Sequence, residues 1–394
     1  MYQVPPLGPD SAVRRPSVAS EPADMMPALT GIRFPMALWV VSHHLSGPGR
    51  MLDPVTTSSP AVHAIVGSAW VALTAFFAIS GFVLTRRYTN TTWTRPVLAR
   101  YAIARVGRVY PLYLVSLLIL FPIITEALGR GDLGSLLNRA GIVLNYVLLL
   151  QGWQRPVVEW NTPAWSLSCE LFFYACFPLI MLLVRVGSWP RLFATTVLAF
   201  ALPVIMRLLT ADPIPKALLY FGDFLVGVAA AGVYDRLHLR QVPLRRLGPW
   251  LTAPALIGGL ALVLFRDAIE SFFVFDAGIR LTSAILVFGL ACGGGLLVRT
   301  LSSPFMMAGG RASYAIYILH VPVLWWYQRS ALHAELPRVQ AGFVYIAIVL
   351  TVSYVLSRWY EAPANDIVRG WYGDWRRRRV AQSRADPAGR QVVS

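Results

Sequence analysis

Apolar runs, most of them roughly 17–24 residues long, recur from one end of this chain to the other and limit what it can fold into. They cover residues 31–47, 62–85, 109–127, 140–151, 163–184, 191–209, 215–233, 248–265, 279–298, 313–327 and 341–359. A helix rises about 1.5 Å per residue, so about 20 such residues cross a hydrocarbon core of about 30 Å. A transmembrane barrel would instead show short strands of alternating polarity. Composition agrees: 56% of residues are hydrophobic and only 14% are charged, where a soluble chain carries about a quarter charged. The expected fold is all-α, a polytopic transmembrane helical bundle.

The net charge of +16 comes almost wholly from arginine, since Lys216 is the only lysine. The arginines cluster in short connections between apolar runs, which argues for membrane topology rather than nucleic-acid binding. The stretch holding Arg86, Arg87, Arg95, Arg100, Arg105 and Arg108 reads as a cytoplasmic loop, as does the one with Arg236, Arg240, Arg245 and Arg246. Arg376, Arg377, Arg378 and Arg379 put the C-terminal tail inside, while Asp267, Glu270 and Asp276 mark an outer loop. Five runs then lie between two cytoplasmic loops, where an even number is required. The shortest, 140–151, reaches only about 18 Å and is assigned as re-entrant or interfacial. About ten crossings remain, with both termini in the cytoplasm and the chain in the inner (cytoplasmic) membrane. The expected organisation is a disordered polar tail at 1–28, a membrane domain at 29–361 and a basic tail at 362–394. No cleavable signal peptide is visible. Cys169, Cys176 and Cys292 are odd in number and offer neither a disulfide framework nor a metal spacing.

Ionisable groups inside such runs are functional candidates, because each costs about 2.5–3.5 kcal/mol on insertion scales. In "TGIRFPMALWVVSHHLSG" (30–47), Arg33 and His44 differ by about 1100° of helical rotation and so lie roughly 20° apart on one face. They are separated by about 16 Å along the axis, and His43 sits about 80° off that stripe. Arg105 and Arg108, three apart, share a face at the cytoplasmic mouth and suit the phosphates of an anionic ligand. In "NTPAWSLSCELFFYACFP" (161–178), Ser166, Glu170 and Tyr174 are spaced by four. A carboxylate such as Glu170 needs a partner there, and His44 is one candidate. Tyr317 and His320 share a face in "GGRASYAIYILHVPVLWW" (309–326), while Asp223 and Glu361 near helix ends read as structural.

Taken in order, the Arg33–His44 helix, "FFAISGF", "ARVGRVYPLY", "WSLSCELFFY", "SYAIYILHVP" and "RWYEAP" resemble the membrane acyltransferase-3 family over about residues 28–365. That resemblance implies O-acylation of a hydroxyl on a sugar-containing acceptor: a cell-envelope glycan, a glycolipid or a macrolide-type metabolite. It implies acyl-CoA, acetyl-CoA foremost, as a co-substrate reached from the cytoplasm, with no tightly bound cofactor and no metal. It implies His44 as the essential histidine and Glu170 as the acid of the "WSL" helix. Arg33, Arg105 and Arg108 become donor-side residues. Trp165, Ser166, Tyr317 and His320 are the expected substrate contacts. Two positions depart from the family pattern. Cys169 precedes a single acid where many relatives have an acidic pair, and Tyr220 stands where many have an arginine, leaving that role vacant or filled by Lys216. The competing class is a transporter of organic anions or acyl donors, against which the absence of internal repeats weighs.

An acyl thioester is already activated, so transfer mainly needs a base for the acceptor hydroxyl. A neutral histidine near pH 7 fits that task. His44→Ala should abolish transfer in a normally inserted protein, a loss of about 10²- to 10⁴-fold, whereas His43→Ala should keep substantial activity. Equal loss in both variants at normal expression would overturn the helix-face argument.

Overall fold

The computed structural model describes residues 26–129, 136–153, 160–184, 188–209, 214–269, 272–368 and 370. Both expected tails lie largely outside these residues, as do Glu270 and the arginines at 376–379. Helices account for the regular structure throughout, and no strand occurs among the described residues. Each apolar run has a helix: α1 Arg33–His44, α2 Trp70–Tyr88, α3 Arg95–Gly129, α4 Leu136–Val147, α5 Ala164–Val184, α6 Trp189–Leu209, α7 Phe221–Leu239, α8 Leu244–Leu264, α9 Phe272–Cys292, α10 Pro304–Tyr327 and α11 Arg338–Leu356. Short helices precede some of them, including Pro27–Gly31 before α1 and Lys216–Leu219 before α7.

Eight helices among the described residues are long and apolar enough to cross a membrane: α2, α3, α5, α6, α7, α8, α9 and α11. Of the rest, α1 and α4 have 12 residues each and reach only about 18 Å. The 24-residue α10 is long enough but turns polar side chains inward, with Ser313 and His320 fully buried. Large apolar side chains such as Leu182, Phe193, Ile257 and Phe343 lie on the outer surface, while Arg280, Asp223 and His320 are buried. That inversion is what a hydrocarbon solvent demands. The protein is an all-α polytopic bundle.

Several boundaries differ from the sequence reading. The arginine-rich stretch expected to be a loop is mostly helix: Arg86 and Arg87 close α2, and Arg95, Arg100, Arg105 and Arg108 form the first turns of α3. Arginine is a good helix former, so nothing local stops the helix at the membrane edge. The 35 residues of α3 span about 52 Å, well beyond one hydrocarbon core. Asp276, assigned to an outer loop, lies inside α9 because Arg280 one turn later pairs with it at 2.8 Å. At the other end, α11 continues through a π-helical turn, Ser357–Glu361, and helix runs on to Val368, past the expected boundary at 361.

One close crossing joins α2 to α7. A Cβ on Gly81 would strike the carbonyl of Phe224, and one on Gly227 would strike that of Ala78. The two backbones therefore touch through paired glycines, the device that lets membrane helices gain dispersion contact without a hydrophobic driving force. Arg86 and Asp235 lock the basic end of the same crossing with an ion pair. Gly81→Ala should overpack this contact and destabilise the solubilised protein by about 1–3 kcal/mol. Gly67→Ala, whose Cβ would meet nothing within 4 Å, should leave the thermal midpoint unchanged. An unaltered midpoint in Gly81→Ala would show that the crossing is looser than its geometry.

Candidate active site

At the end of the bundle that carries Arg33, a cavity of about 720 Å³ opens between α1, α2, α3, α10 and the π-helical turn. Six arginines line it: Arg33, Arg87, Arg105, Arg108, Arg311 and Arg358. Arg105 and Arg108 do share the face expected from their spacing. Arg108 pairs with Glu361 at 2.7 Å, and its guanidinium stands 5.4 Å over the Tyr314 ring. Arg105 lies 5.4 Å over the Tyr174 ring and is buried. Among the described residues, the Nε–H groups of Arg33 and Arg105 are buried and meet no hydrogen-bond partner. Buried donors rarely stay unmet, so this cavity presents an unfilled demand for acceptor oxygens.

The π-helical turn explains why Glu361 faces this cavity. A π turn inserts one residue into the helical ladder and re-aims the side chains beyond it. Sequence alone assigned Glu361 a structural place and gave Arg87, Arg311 and Arg358 no site role. The signal available for Glu361 was its place in "RWYEAP".

A smaller pocket, the throat, adjoins the cavity. Arg33 and Arg108 stand where the two meet, and Ser166, Glu170 and Tyr317 lie along the throat. Glu170 accepts hydrogen bonds from Tyr174 and from Ser80, the latter at 3.2 Å. The pairing of Glu170 with His44 is not what forms. Glu170 shares the throat with Arg33, and His44 is about 16 Å further along α1, too far for a carboxylate at Arg33's end. Deeper in, the Ser166 hydroxyl donates to the Tyr317 hydroxyl at 2.8 Å, and Tyr317 donates to the Pro163 carbonyl at 3.2 Å.

Trp165 faces elsewhere. It packs 5.2 Å from Tyr220 with Lys216 Nζ 4.2 Å over its ring. Lys216 is therefore committed to an aromatic face. Asp223 finds its cation in Arg280, at 2.6 Å, with both groups buried. The Asp223–Arg280–Asp276 group holds α7 to α9 and lines none of the spaces described, in keeping with a structural role for Asp223.

His44 lies at the opposite end of α1, in a second chamber of about 220 Å³ that it shares with Arg50, Thr162, Trp325 and Gln328. Its ring meets His320, with His44 Nδ1 3.3 Å from His320 Nε2. Hydrogen bonding assigns the neutral tautomers. A carbonyl oxygen only accepts, so Nδ1 of His44, 2.9 Å from the Val40 carbonyl, carries a proton. The same holds for Nδ1 of His320, 2.7 Å from the Tyr317 carbonyl. His320 Nε2 can then only accept, and it faces the Nδ1–H of His44. The lone pair of His44 is left on Nε2. Arg50 donates to the His44 carbonyl at 2.8 Å and fixes the end of α1. His43 is exposed and bonds separately to the Val66 carbonyl.

Two spaces of different chemistry thus flank a short barrier. Thr162 and Val321 line the second chamber; Ser166 and Tyr317, each four residues away, line the throat. Along α10 the intervening distance is about 6 Å.

A family of membrane enzymes fits this arrangement. The family model described as an acyltransferase domain, acyltransferase-3, matches residues 26–358, and the chain belongs to that family. It is an acyltransferase. It is 29% identical over 325 residues to "Acyltransferase MdmB" of Streptomyces mycarofaciens, covering 76% of this chain and 79% of that one. It is 20% identical over 366 residues to "O-acetyltransferase OatA" of Staphylococcus aureus (strain NCTC 8325), covering 86% of this chain but 57% of the relative. The chain thus spans little more than half of that second protein. No solved structure matches.

The tautomer assignment can be measured directly. In protein with ¹⁵N-labelled histidine, the His44 resonances, identified by their loss in His44→Gln, should report a protonated Nδ1 and an unprotonated Nε2 in the neutral ring. The opposite tautomer would overturn the assignment of the free lone pair to His44 Nε2.

Proposed function

We propose that this enzyme is an O-acyltransferase that binds acyl-CoA in the arginine-lined cavity and transfers the acyl group to a hydroxyl of a sugar-containing acceptor in the outer chamber. The observation that carries this reading is the set of guanidinium groups around one cavity, two of them with buried, unpartnered Nε–H groups. Guanidinium forks match phosphate oxygens in geometry and charge. The excess of arginine at this end puts it in the cytoplasm by the positive-inside rule, where acyl-CoA is found. Both chain termini and the inner membrane follow from the same orientation.

The distance along α1 supports the assignment. The pantetheine arm of acyl-CoA is about twelve bonds long from phosphate oxygen to sulfur, and at ~3.5 Å per three bonds it extends roughly 14 Å. Arg33 and His44 are about 16 Å apart on one helix face. With phosphates at the arginines, the arm runs down the throat and brings the thioester to the barrier beside His44.

His44 Nε2 then accepts the proton of the acceptor hydroxyl as its oxygen attacks the thioester carbon. The C–O bond forms, the tetrahedral adduct collapses, the C–S bond breaks, and the thiolate recovers a proton from the imidazolium. Val40 and His320 hold Nδ1–H throughout, as the acid does for a triad histidine. Glu170, tied to Tyr174 and Ser80, acts on the donor side. The name O-acetyltransferase borne by one relative supports acetyl as the group carried and a hydroxyl as its destination. The acceptor is a glycan, a glycolipid or a glycosylated metabolite.

Arg105→Ala should raise the donor KM about ten- to hundredfold, the effect of losing a charged hydrogen bond of about 1.5–3 kcal/mol, and leave the acceptor KM nearly unchanged. The assay is CoA release from acetyl-CoA by purified protein. An unchanged donor KM in a normally expressed variant would return the arginines to lipid anchoring.

A further inference from the structure

The arginine-lined cavity also carries an acceptor that a phosphate cannot satisfy. Asn365 lines it from the helix that continues beyond the π-helical turn. Its Oδ1 is buried, and among the described residues no group donates to it. Gly107 lies between Arg105 and Arg108 on α3, and a Cβ there would stand 3.0 Å from Val368 and 3.4 Å from Asn365 Oδ1. The amide is thus seated against the same turn of α3 that carries the arginine pair. Buried side-chain polar atoms are seldom left unmet. An ionised phosphate accepts from Arg33 and Arg105 but has no hydrogen to give Asn365.

Depth orders these groups. Tyr345 on α11 donates to the His320 carbonyl, and Glu361 beyond α11 accepts from Arg108. The helix therefore runs from the histidine end toward the arginine end, and Asn365, four residues past Glu361, lies about 6 Å further out. Arg108 lines both cavity and throat, whereas Asn365 lines the cavity alone. Arg87 follows Ser80 by seven residues on α2, about 10 Å toward the same mouth. Arg311 precedes Tyr314 of the throat by three residues on α10. The outer layer of the cavity thus sets Arg87 and Arg311 beside two acceptors, the Asn365 amide and the Asp366 carboxylate. A ligand offering this layer phosphate alone would be repelled by Asp366. A nucleoside phosphate offers oxygens to the cations and N–H and O–H groups to the acceptors.

From this layering we infer that the mouth of the cavity is an adenine-nucleotide subsite, in which Asn365 reads the amino edge of the base and Arg87 and Arg311 hold the phosphate on its ribose. This rests on the acyl-CoA reading above and adds how the donor is recognised: by its nucleotide end, as a free coenzyme thioester, and not by the phosphopantetheine arm alone. In such a donor the diphosphate separates the arm from the adenosine. With the arm in the throat and the diphosphate at Arg33 and Arg105, the adenosine falls at the level of Asn365. A carboxamide sets an acceptor beside a donor, the complement of the N6–H and N7 groups of adenine. A bidentate pair of that kind discriminates by about 5–150-fold.

The test is equilibrium binding to the full-length protein in lipid nanodiscs, by titration calorimetry, and it needs no acceptor. The probes are CoA, 4′-phosphopantetheine and 1,N6-etheno-CoA, in which a two-carbon bridge removes the amino hydrogens of the base. Wild-type protein should bind CoA at least about fivefold more tightly than etheno-CoA. Asn365→Leu should bind CoA and etheno-CoA alike, at the weaker value, and leave the Kd of phosphopantetheine unchanged. A distorted cavity would instead weaken all three probes together, and that result would overturn the subsite. Equal binding of CoA and etheno-CoA by wild type, or a preference that survives in Asn365→Leu, would also overturn it while leaving the donor reading in place. Failure of folded wild type to bind CoA at all would overturn the donor reading itself.

Discussion

Two glycines, Gly81 and Gly227, bring α2 and α7 into backbone contact, and the site is arranged around that crossing. In lipid no hydrophobic force gathers helices, so close van der Waals approach must do so. With α2 fixed at the centre, its inward face presents Phe76 to Tyr317 and Ser80 to Glu170. The same approach places Asp223, on the first turn of α7, where Arg280 reaches it from α9. Moving α2 outward by one methyl group would open the throat and loosen the buried ion pair together.

Charge in this bundle is handled in two ways. Arg280 pairs with both Asp223 and Asp276 deep in the protein, where an unpaired charge would cost several kcal/mol. Arg33 and Arg105 are left with buried N–H groups that nothing in the protein accepts. Arg86 also keeps a buried, unpartnered Nε–H beside its ion pair with Asp235, so what sets Arg33 and Arg105 apart is that their spare donors line the cavity.

The long axis of α1 ties the two ends of the proposed reaction together. Arg33 and His44 are parts of one rigid helix, so the distance between phosphate site and base is set by local backbone geometry and not by loop positions. Loops set the rest: Arg50 from the turn after α1 and Gln328 from the end of α10 shape the outer chamber. Chambers built from such segments vary readily without disturbing the scaffold. A shared donor end and a variable acceptor end are the expected outcome of that division.

Legible along the chain was whatever a single helix settles. Run length fixed the membrane class, the clustering of arginine marked one side, and the 3.6-residue repeat put Arg33 with His44 and Arg105 with Arg108. These follow from backbone hydrogen bonds between residues four apart, which sequence spacing counts directly. Tertiary structure decided the partners. His44 meets His320, 276 residues away, and Glu170 meets Ser80, 90 residues away. Arg280, which drew no notice in the sequence, proves to be the cation for Asp223, and the π turn that aims Glu361 at Arg108 left no periodic trace. Such contacts depend on which helix faces approach and how closely, and those are fixed by small residues and shape complementarity summed over the whole bundle, not by spacing along the chain.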